Sequence, residues 1–306
     1  MPIPFHALSI HDKDLIRRSV RHTECRNCDL NFMNLLSWRF LYSTEVASHE
    51  DWLLFRFMAD GHRAYLAPVG NGNWTSIMHQ LLDDARQTGH PFLMLGVCEN
   101  SLSQLEAAMP GYFFASADRN YTDYIYEREK LASLAGKKLQ SKRNFTNRFA
   151  DRHLGYEVLP LAAEHMDECL DLDLRWTANK TEETDVGRYT YEAERRSLLT
   201  VFDHWDELDG MGAVLKVDGR IVAFTYGAPV NEDTFDVCAE KADTAVEGSF
   251  AMINREFARM IPEQYRYINR EEDLGIEGLR RAKLSYRPAL LLHKYTVMTK
   301  HPLGRD

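Results

Sequence analysis

The 306-residue sequence lacks the features that would place it among membrane or nucleic-acid-coating proteins. No uninterrupted apolar run approaches the roughly 20 residues that a membrane-spanning helix needs. The start, MPIPFHALSIHDKD, has no basic stretch followed by an apolar core. The formal net charge of -9 argues against DNA as a partner, because attraction to phosphates requires clustered positive charge. We therefore expect a cytoplasmic protein without a transmembrane segment.

Cysteine is scarce, and its five positions are Cys25, Cys28, Cys98, Cys169 and Cys238. An odd number disfavours a secreted disulfide framework, so the sequence predicts reduced thiols. Cys25 and Cys28 have the spacing of a zinc or redox pair, but no second pair follows, and a structural zinc site normally needs four ligands. No Gly-x-Ser-x-Gly motif and no suggestive histidine pair occurs either. The sequence predicts neither a metal site nor a covalent hydrolase.

Hydrophobic residues make up 44% and charged residues 27% of the chain, as in ordinary globular proteins. At this length, two domains are the natural expectation. In the first half, residues 52–59 and 63–70 read as strands joined by Asp60-Gly61, a dipeptide favoured in tight hairpins. A glycine-containing turn, a helix from about Trp74 to Thr88 and a buried strand at 91–97 follow.

The second half repeats this order. A hairpin at 213–230 turns at Asp218-Gly219, and a strand at 234–242 follows it. A helix is expected from about Gly248 to Met260, then a strand at 265–271, a short helix at 278–288 and a last strand at 289–297. We predict an α/β fold with mixed sheets in two similar domains, 1–130 and 154–306, joined by a basic helical connector at 131–153.

The order of hairpin, strand, backbone-rich turn and helix resembles the core of the GNAT acyltransferases, whose turn binds a pyrophosphate. Free amides and the dipole at a helix start favour an anion there. The matching residues would be Gly70, Gly72 and Asn73 in the first half, and Gly248 and Ser249 in the second. Neither turn has the Arg/Gln-x-x-Gly-x-Gly/Ala pattern usual in acetyl-CoA binders. The resemblance therefore implies a tandem GNAT fold without settling the donor.

Four phrases resemble the DUF2156 proteins, which are relatives of the C-terminal domain of phosphatidylglycerol lysyltransferase. They are RNCDLNFMNLLSWRF (26–40), KKLQSKRNFTNRF (137–149), AEKADTAVEGSFAMINREF (239–257) and YINREEDLGIEGLRRAKLSYRP (267–288). This resemblance covers nearly the whole chain and implies the tandem GNAT fold also seen in the Fem aminoacyltransferases. It also implies aminoacyl-tRNA as a donor. The membrane-spanning half of the lysyltransferases is absent from this sequence.

Candidate catalytic residues lie in the second half. Alternation along a strand end would let Asn269, Glu271 and Asp273 line one wall, and Glu271 would then act as a proton acceptor. Glu240 and Lys241 close the strand at 234–242, where adjacent GNAT strands splay apart, and both would face the reaction centre. By the same analogy, Tyr286 would protonate the leaving group. The alternatives are helix-capping acids, an exposed ion pair and an ordinary half-buried tyrosine.

Candidate binding residues are basic. Arg281 and Lys283 could hold an anionic group, or simply form a solvated helix face. The connector places Lys142 and Arg143 among further cations and two phenylalanines, a composition that suits a local contact with tRNA phosphates. An amphipathic helix with solvated lysines explains it as well.

Three functions remain open from the sequence. The first is an acyl- or aminoacyl-transferase that uses aminoacyl-tRNA and a small-molecule or lipid-headgroup acceptor. The second is an N-acetyltransferase that uses acetyl-CoA. The third is a catalytically degenerate GNAT pair that acts as a binding or regulatory module.

Overall fold

The computed structural model describes residues 2–178 and 185–301, so residue 1, at the start of the first predicted domain, and 179–184 and 302–306, in the second, lie outside the described residues. The strands are β1 (His6–Ala7), β2 (Glu45–His49), β3 (Trp52–Ala59), β4 (His62–Leu66), β5 (Val69–Gly70), β6 (Leu93–Val97), β7 (Phe113–Ala117), β8 (Asp123–Glu127), β9 (Glu157–Pro160), β10 (Met211–Val217), β11 (Arg220–Pro229), β12 (Thr234–Ala242), β13 (Tyr267–Asn269), β14 (Leu290–Leu292) and β15 (Tyr295–Thr299). The helices are α1 (Lys13–Val20), α2 (Phe32–Tyr42), α3 (Trp74–Thr88), α4 (Glu99–Ala108), α5 (Arg128–Ser133), α6 (Gln140–Arg152), α7 (Met166–Ala178), α8 (Asp185–Asp203), α9 (Ser249–Met260) and α10 (Glu277–Ser285).

The chain forms two compact units. Unit 1 comprises Met1–Asp123, Glu272–Gly275 and Leu291–Asp306, and unit 2 comprises Tyr124–Glu271 and Ile276–Leu290. The linear boundaries expected from the sequence, 1–130 and 154–306, differ from these units because the chain passes between them more than once. Short excursions of this kind leave no compositional signal.

The sheet of unit 1 has the order β1-β2-β3-β4-β6-β15-β7, and β5 pairs with β3. β4 and β6 are parallel, with Tyr65 beside Met94, and α3 connects them. Apolar residues of α3 at helical spacing, from Ile77 to Ala85, pack into the core, and Asn73 caps the helix by accepting from the amide of Ser76. The unit thus contains the predicted strand, turn and helix.

The second sheet, which contains the strands of unit 2, has the order β14-β8-β13-β12-β11-β10-β9. β12 and β13 are parallel over only three residue pairs, from Thr234–Tyr267 to Asp236–Asn269, and α9 connects them. β12 continues to Ala242 along β11, and the register shifts where Tyr226 opposes Ala239 and Gly227 opposes Val237. The end of β12 therefore extends past its parallel neighbour, as the GNAT resemblance implies.

Two strands lie in sheets that their place in the sequence does not suggest. β8 follows the first-half elements but pairs with β13 in the second sheet. β15 ends the second half but lies between β6 and β7 in the first sheet. The predicted last strand, 289–297, is therefore two strands in different sheets. In each sheet, the exchanged strand pairs antiparallel with the outer member of the parallel pair.

Candidate functional site around Tyr286

The end of β12 places the carboxylate of Glu240 in a polar cluster within unit 2. One carboxylate oxygen accepts from Nη2 of Arg270 at 2.9 Å, and the other accepts from the amide of Asn254 at 3.2 Å. Arg270 directly follows β13, and Asn254 lies on α9. The side chains of Glu240 and Arg270 are only 11% and 12% exposed, so this is a largely buried ion pair.

Two cations flank the ring of Tyr286. The guanidinium carbon of Arg270 lies 5.0 Å and the ammonium of Lys142 4.3 Å from the ring centroid. Tyr286 is buried, and burial raises its pKa to about 12, so its hydroxyl stays protonated at neutral pH. Burial and the neighbouring Arg270 lower the pKa of Lys142. We call Lys142, Glu240, Asn254, Arg270 and Tyr286 the Tyr286 centre.

The Tyr286 centre has unused bonding capacity. Nη1 of Arg270 and Oδ1 of Asn254 are buried without a hydrogen-bond partner among the described residues. Two cations, Lys142 and Arg270, stand against a single carboxylate, Glu240. Buried polar atoms are normally satisfied, because leaving one unpaired costs about 1–3 kcal/mol. The arrangement therefore suits an anionic or polar ligand that would complete these contacts.

Lys241 points away from this centre, because successive residues of a strand face opposite sides of the sheet. Its ammonium lies 2.7 Å from Glu194, 3.5 Å from Asp173 and 3.9 Å from the ring centroid of Trp176. Lys241 is buried, so it is not the exposed residue of the alternative explanation either. The structure thus separates Glu240 and Lys241, which the sequence analysis placed at one reaction centre.

The residues at and after the end of β13 do not form the expected common wall. Asn269 is buried, and its side-chain oxygen accepts from the amide of Glu271 at 2.7 Å. Glu271 has φ 54°, which breaks the alternation of an extended strand. Asp273 belongs to unit 1, where it pairs with Arg119 at 3.1 Å and accepts from the amide of Gly275. The turn at Glu271 is the physical reason for the difference.

The two basic candidates on α10 differ in environment. Arg281 is 75% exposed and lies 3.6 Å from Glu277 one turn away, as expected of a solvated helix face. Lys283 is buried, and its ammonium donates to the backbone oxygen of Arg270. The backbone oxygen of Lys283 in turn accepts from the hydroxyl of Tyr126 at 2.8 Å. Lys283 therefore holds Arg270 in place.

The turn before α9 is closed by the connector helix. Gly248 has φ 92°, and a Cβ added there would lie 3.1 Å from the backbone oxygen of Phe145 on α6. The hydroxyl of Ser249 donates to the backbone oxygen of Asp243 at 3.1 Å. Glu247 at the same turn forms ion pairs with Arg148 and Arg152 of α6. Arg143, which the sequence analysis named as a contact for tRNA phosphates, lies on the same helix α6 and donates to the backbone oxygen of Leu134.

The turn before α3 is more open. Gly70 and Gly72 line a cleft of about 490 Å³ in unit 1, together with the ends of β4 and β6. A Cβ at Gly70 would lie 2.0 Å from the backbone oxygen of Asp51, and one at Gly72 would lie 2.4 Å from the indole nitrogen of Trp52. Close packing against β3 thus explains both glycines, and Asn73 serves as the cap of α3.

A second buried ionic cluster lies in unit 1. The ammonium of Lys294 lies 3.0 Å from Asp123 and 3.3 Å from Asp29, and it also contacts Glu272 and the thiol of Cys28. Burial raises the pKa of Glu272, and the nearby carboxylates of Asp123 and Asp29 add to the effect. The ligand atoms of Cys28, Asp123 and Glu272 are close enough for a metal ion, but Lys294 already supplies the positive charge. In unit 2, Asp236, Cys238 and Glu271 form a similar group.

The cysteines correct one expectation. Cys25 and Cys98 form a disulfide, whereas Cys28, Cys169 and Cys238 are free. The partner of Cys25 is therefore a residue 73 positions away rather than Cys28. Both disulfide residues line the cleft of unit 1. Sequence spacing could not reveal this pair, because the fold of β6 and the loop after α1 brings the two residues together.

Several residues of these clusters escaped the sequence analysis. Arg270 lies within the phrase at 267–288, but the predicted alternation concerned only Asn269, Glu271 and Asp273. Asn254 faces Glu240 from the middle of α9, and no motif marks it. Asp173 and Glu194 lie in α7 and α8, a region for which the sequence analysis predicted no elements. The only feature of the sequence that indicates these two helices is helical periodicity.

Comparisons with known proteins agree with this architecture. A solved structure of a conserved protein of unknown function from Bacteroides thetaiotaomicron is 48% identical, with a TM-score of 0.93, and the match covers 97% of this chain and all of that one. The C-terminal DUF2156 domain of a putative lysylphosphatidylglycerol synthetase from Agrobacterium fabrum is 16% identical, with a TM-score of 0.68 over 95% and 93% of the two chains. FemX is 10% identical, with a TM-score of 0.59 over 96% and 97%. The last two likenesses concern the fold, and they confirm the tandem GNAT-like architecture.

The uncharacterized protein MYCGA3080 from Mycoplasmoides gallisepticum is 24% identical over 200 residues, which are 63% of this chain and 61% of that protein. The match thus spans less than two thirds of that relative. Among the described residues, no helix is both long and apolar enough to cross a bilayer. Residues 20–298 match the family described as phosphatidylglycerol lysyltransferase, C-terminal. Because this match covers nearly the whole chain, the protein belongs to that family, as the DUF2156 resemblance predicted.

Proposed function

We propose that this protein transfers an aminoacyl group from aminoacyl-tRNA to a hydroxyl or amine acceptor, with the Tyr286 centre as its active site. The observation that carries the proposal is a buried, protonated tyrosine between two cations, Lys142 and Arg270, of which Arg270 is paired with Glu240. Family membership supports a lipid-headgroup acceptor, with phosphatidylglycerol as the first choice. Charged tRNA is a cytoplasmic donor, which fits the expected cytoplasmic location.

Each group has a role in the proposed transfer. The acceptor oxygen or nitrogen attacks the ester carbonyl, and the bond between that carbonyl and the terminal ribose oxygen breaks. Tyr286 gives its proton to the leaving ribose oxygen and regains one from the acceptor, so the protons balance. Lys142 and Arg270 stabilise the negative charge that develops on the carbonyl oxygen or lies on the adjacent phosphate.

The other predicted catalytic residues take different roles in this proposal. Glu240 is bound to Arg270 and Asn254, so we assign it to positioning Arg270 rather than to accepting a proton. Glu271 follows Arg270 in the chain, but it faces Asp236 and Cys238 and receives no role in the transfer.

The test is a transfer assay with radiolabelled lysyl-tRNA and phosphatidylglycerol vesicles, in which labelled lipid is separated by chromatography. Tyr286→Phe should lower the transfer rate by about 10²–10⁴-fold, the usual contribution of a general acid. The exposed Tyr121 provides a control, and Tyr121→Phe should leave the rate unchanged. Lipid labelling by the Tyr286→Phe variant at the wild-type rate would refute the assignment. No transfer with any charged tRNA, but retained tRNA binding, would favour a binding module.

One observation favours acetyl-CoA as the donor instead, namely the cleft of unit 1 beside Gly70 and Gly72 at the start of α3. Isothermal titration with acetyl-CoA distinguishes the two. Binding at micromolar concentration would favour an acetyltransferase. No detectable binding would leave aminoacyl-tRNA as the donor.

A further inference from the structure

A cavity of about 540 Å³ lies in unit 1, next to the point where the chain leaves α2 and enters β2. β2 pairs with β3 only as far as Glu45, which lies opposite Arg56, so β2 does not cover the later residues of β3. Phe57 and Met58 border the cavity there. Its volume lies within the range of about 300–1,000 Å³ that small-molecule sites occupy. We call it the β3-edge cavity.

Two arginines line the β3-edge cavity without an acidic partner. Arg39, in the last turn of α2, donates through Nη1 to the backbone oxygen of Leu36 at 2.6 Å. Arg63 lies on β4, and in the part of the chain that the structure describes neither arginine forms an ion pair. Both arginines are half-buried, so salt and water screen their charges less than on an open surface. Two such charges in one cavity attract a negative occupant.

The two arginines approach the cavity from opposite sides of β3. Arg63 lies directly opposite Met58 on the neighbouring strand, so these two side chains share one face of the sheet. Phe57 faces the other way, towards α2, where its ring centroid lies 6.2 Å from that of Tyr42. Arg39 comes from that same helix. A molecule that contacts both arginines therefore needs two anionic groups, joined by a spacer that passes the apolar edge of β3.

The negative charge near the cavity does not cancel the two arginines. Glu45, the acid that lines the cavity, accepts from Nε of Arg56 at 2.6 Å and from Nη2 at 3.2 Å. Arg56 also pairs with Asp84 at 2.8 Å, so this group of three keeps a single net negative charge. The C-terminal end of α2 adds roughly half a negative charge. Arg39 and Arg63 together carry two positive charges, so the balance stays positive.

We propose that the β3-edge cavity binds a small organic dicarboxylate, with one carboxylate on each arginine and an apolar spacer against Phe57 and Met58. A guanidinium and a carboxylate form paired, parallel hydrogen bonds, which makes arginine the preferred partner of this group. Thr44 lines the cavity as well and adds a hydroxyl donor. All of the lining residues belong to unit 1, whereas the Tyr286 centre belongs to unit 2, so this is a different site from that of the proposed transfer.

The test is isothermal titration of the full-length chain with two matched pairs of compounds, glutarate against butyrate and isophthalate against benzoate. We expect at least one dicarboxylate to bind about tenfold more tightly than its monocarboxylate, the usual weight of a hydrogen-bonded charge. Arg63→Met should remove that advantage. Arg63→Lys keeps the charge and the aliphatic stem, so it should fold and bind more weakly than the wild type. Arg18→Met is the control, because Arg18 is exposed elsewhere in unit 1, and it should bind like the wild type.

Four results would overturn the inference. Dicarboxylates that bind no better than their monocarboxylates would exclude a site for two anionic groups. Wild-type affinity in both Arg63 variants would place the ligand elsewhere, and loss of binding in Lys142→Met but not in Arg63→Met would assign it to the Tyr286 centre. Inorganic phosphate that binds more tightly than either dicarboxylate would assign the arginines to a phosphate instead. None of these measurements needs turnover, so they distinguish failure of this site from failure of the proposed transfer.

Discussion

Replacing Glu240 by leucine should destabilise unit 2 strongly, because it leaves the charge of Arg270 uncompensated in a mostly covered site. The two groups are joined by a 2.9 Å contact, and both side chains are almost nine-tenths covered. With charge centres near 4 Å apart and an effective dielectric of about 20, their attraction is about 4 kcal/mol. Removing one partner of a buried pair typically costs about 3–5 kcal/mol. Lys142 would add repulsion that Glu240 now offsets.

A double-mutant cycle with Arg270→Met separates the pair from the two side chains. We expect Glu240→Leu to lose about 3–5 kcal/mol of unfolding free energy and the double variant to regain most of it, since apolar replacements remove both desolvation penalties. Urea unfolding followed by hydrogen exchange in peptides of 234–271 would assign the loss to unit 2. Glu277, which forms an exposed pair with Arg281, is the control. Glu277→Leu should change the free energy of unfolding by less than about 1 kcal/mol. A loss below about 1 kcal/mol for Glu240→Leu would refute the buried pair.

Three further predictions concern stability. Burial raises the pKa of Glu272, so the folded chain keeps this proton at a pH where the unfolded chain has released it. As the pH rises above 4.5, the melting temperature of the wild type should therefore fall relative to that of Glu272→Gln. A difference in melting temperature that does not change with pH would contradict this. Gly248→Ala should cost about 1–3 kcal/mol in urea unfolding, through its positive φ and its contact with α6, whereas Gly155→Ala, which meets open space, should cost little. A reductant should lower the melting temperature of the wild type by the equivalent of about 2–4 kcal/mol, because it opens the bond between Cys25 and Cys98. The melting temperature of Cys25→Ser should not change with reductant. Equal sensitivity of the two proteins to reductant would exclude the disulfide.

Local features of the fold were predictable from the sequence because local physics determines them. Asp60-Gly61 and Asp218-Gly219 adopt positive φ at both positions, as the turns of the two predicted hairpins require. The predicted bounds of α3 and β12 match the structure, since helical periodicity and a bounded β-branched and aromatic run define them. The family resemblance then supplied the tandem arrangement that these elements alone only suggested.

Sheet membership and side-chain partners were not predictable in the same way. The composition of β8 and β15 does not indicate to which sheet each strand belongs. The pairing depends on the free hydrogen-bonding edge of a strand that is distant in the sequence. The contact between Lys294 and Asp123 follows from that exchange, since both residues adjoin the exchanged strands. Glu240 was identified from its place at a strand end, but Arg270 and Asn254 became its partners only through the packing of β13 and α9.

The energetics of the Tyr286 centre argue that its charges serve a ligand rather than the fold. A buried ion pair such as Glu240–Arg270 contributes little net stability, because desolvation of both groups offsets their attraction. Adding Lys142 beside Arg270 makes the unliganded site less favourable still, because burial and then the nearby Arg270 both lower the pKa of Lys142. An anion bound between the two cations would relieve this repulsion. Phosphate-containing ligands should therefore raise the melting temperature of the wild type, and Lys142→Met should gain stability while losing that response, whereas a purely structural lysine would show neither effect.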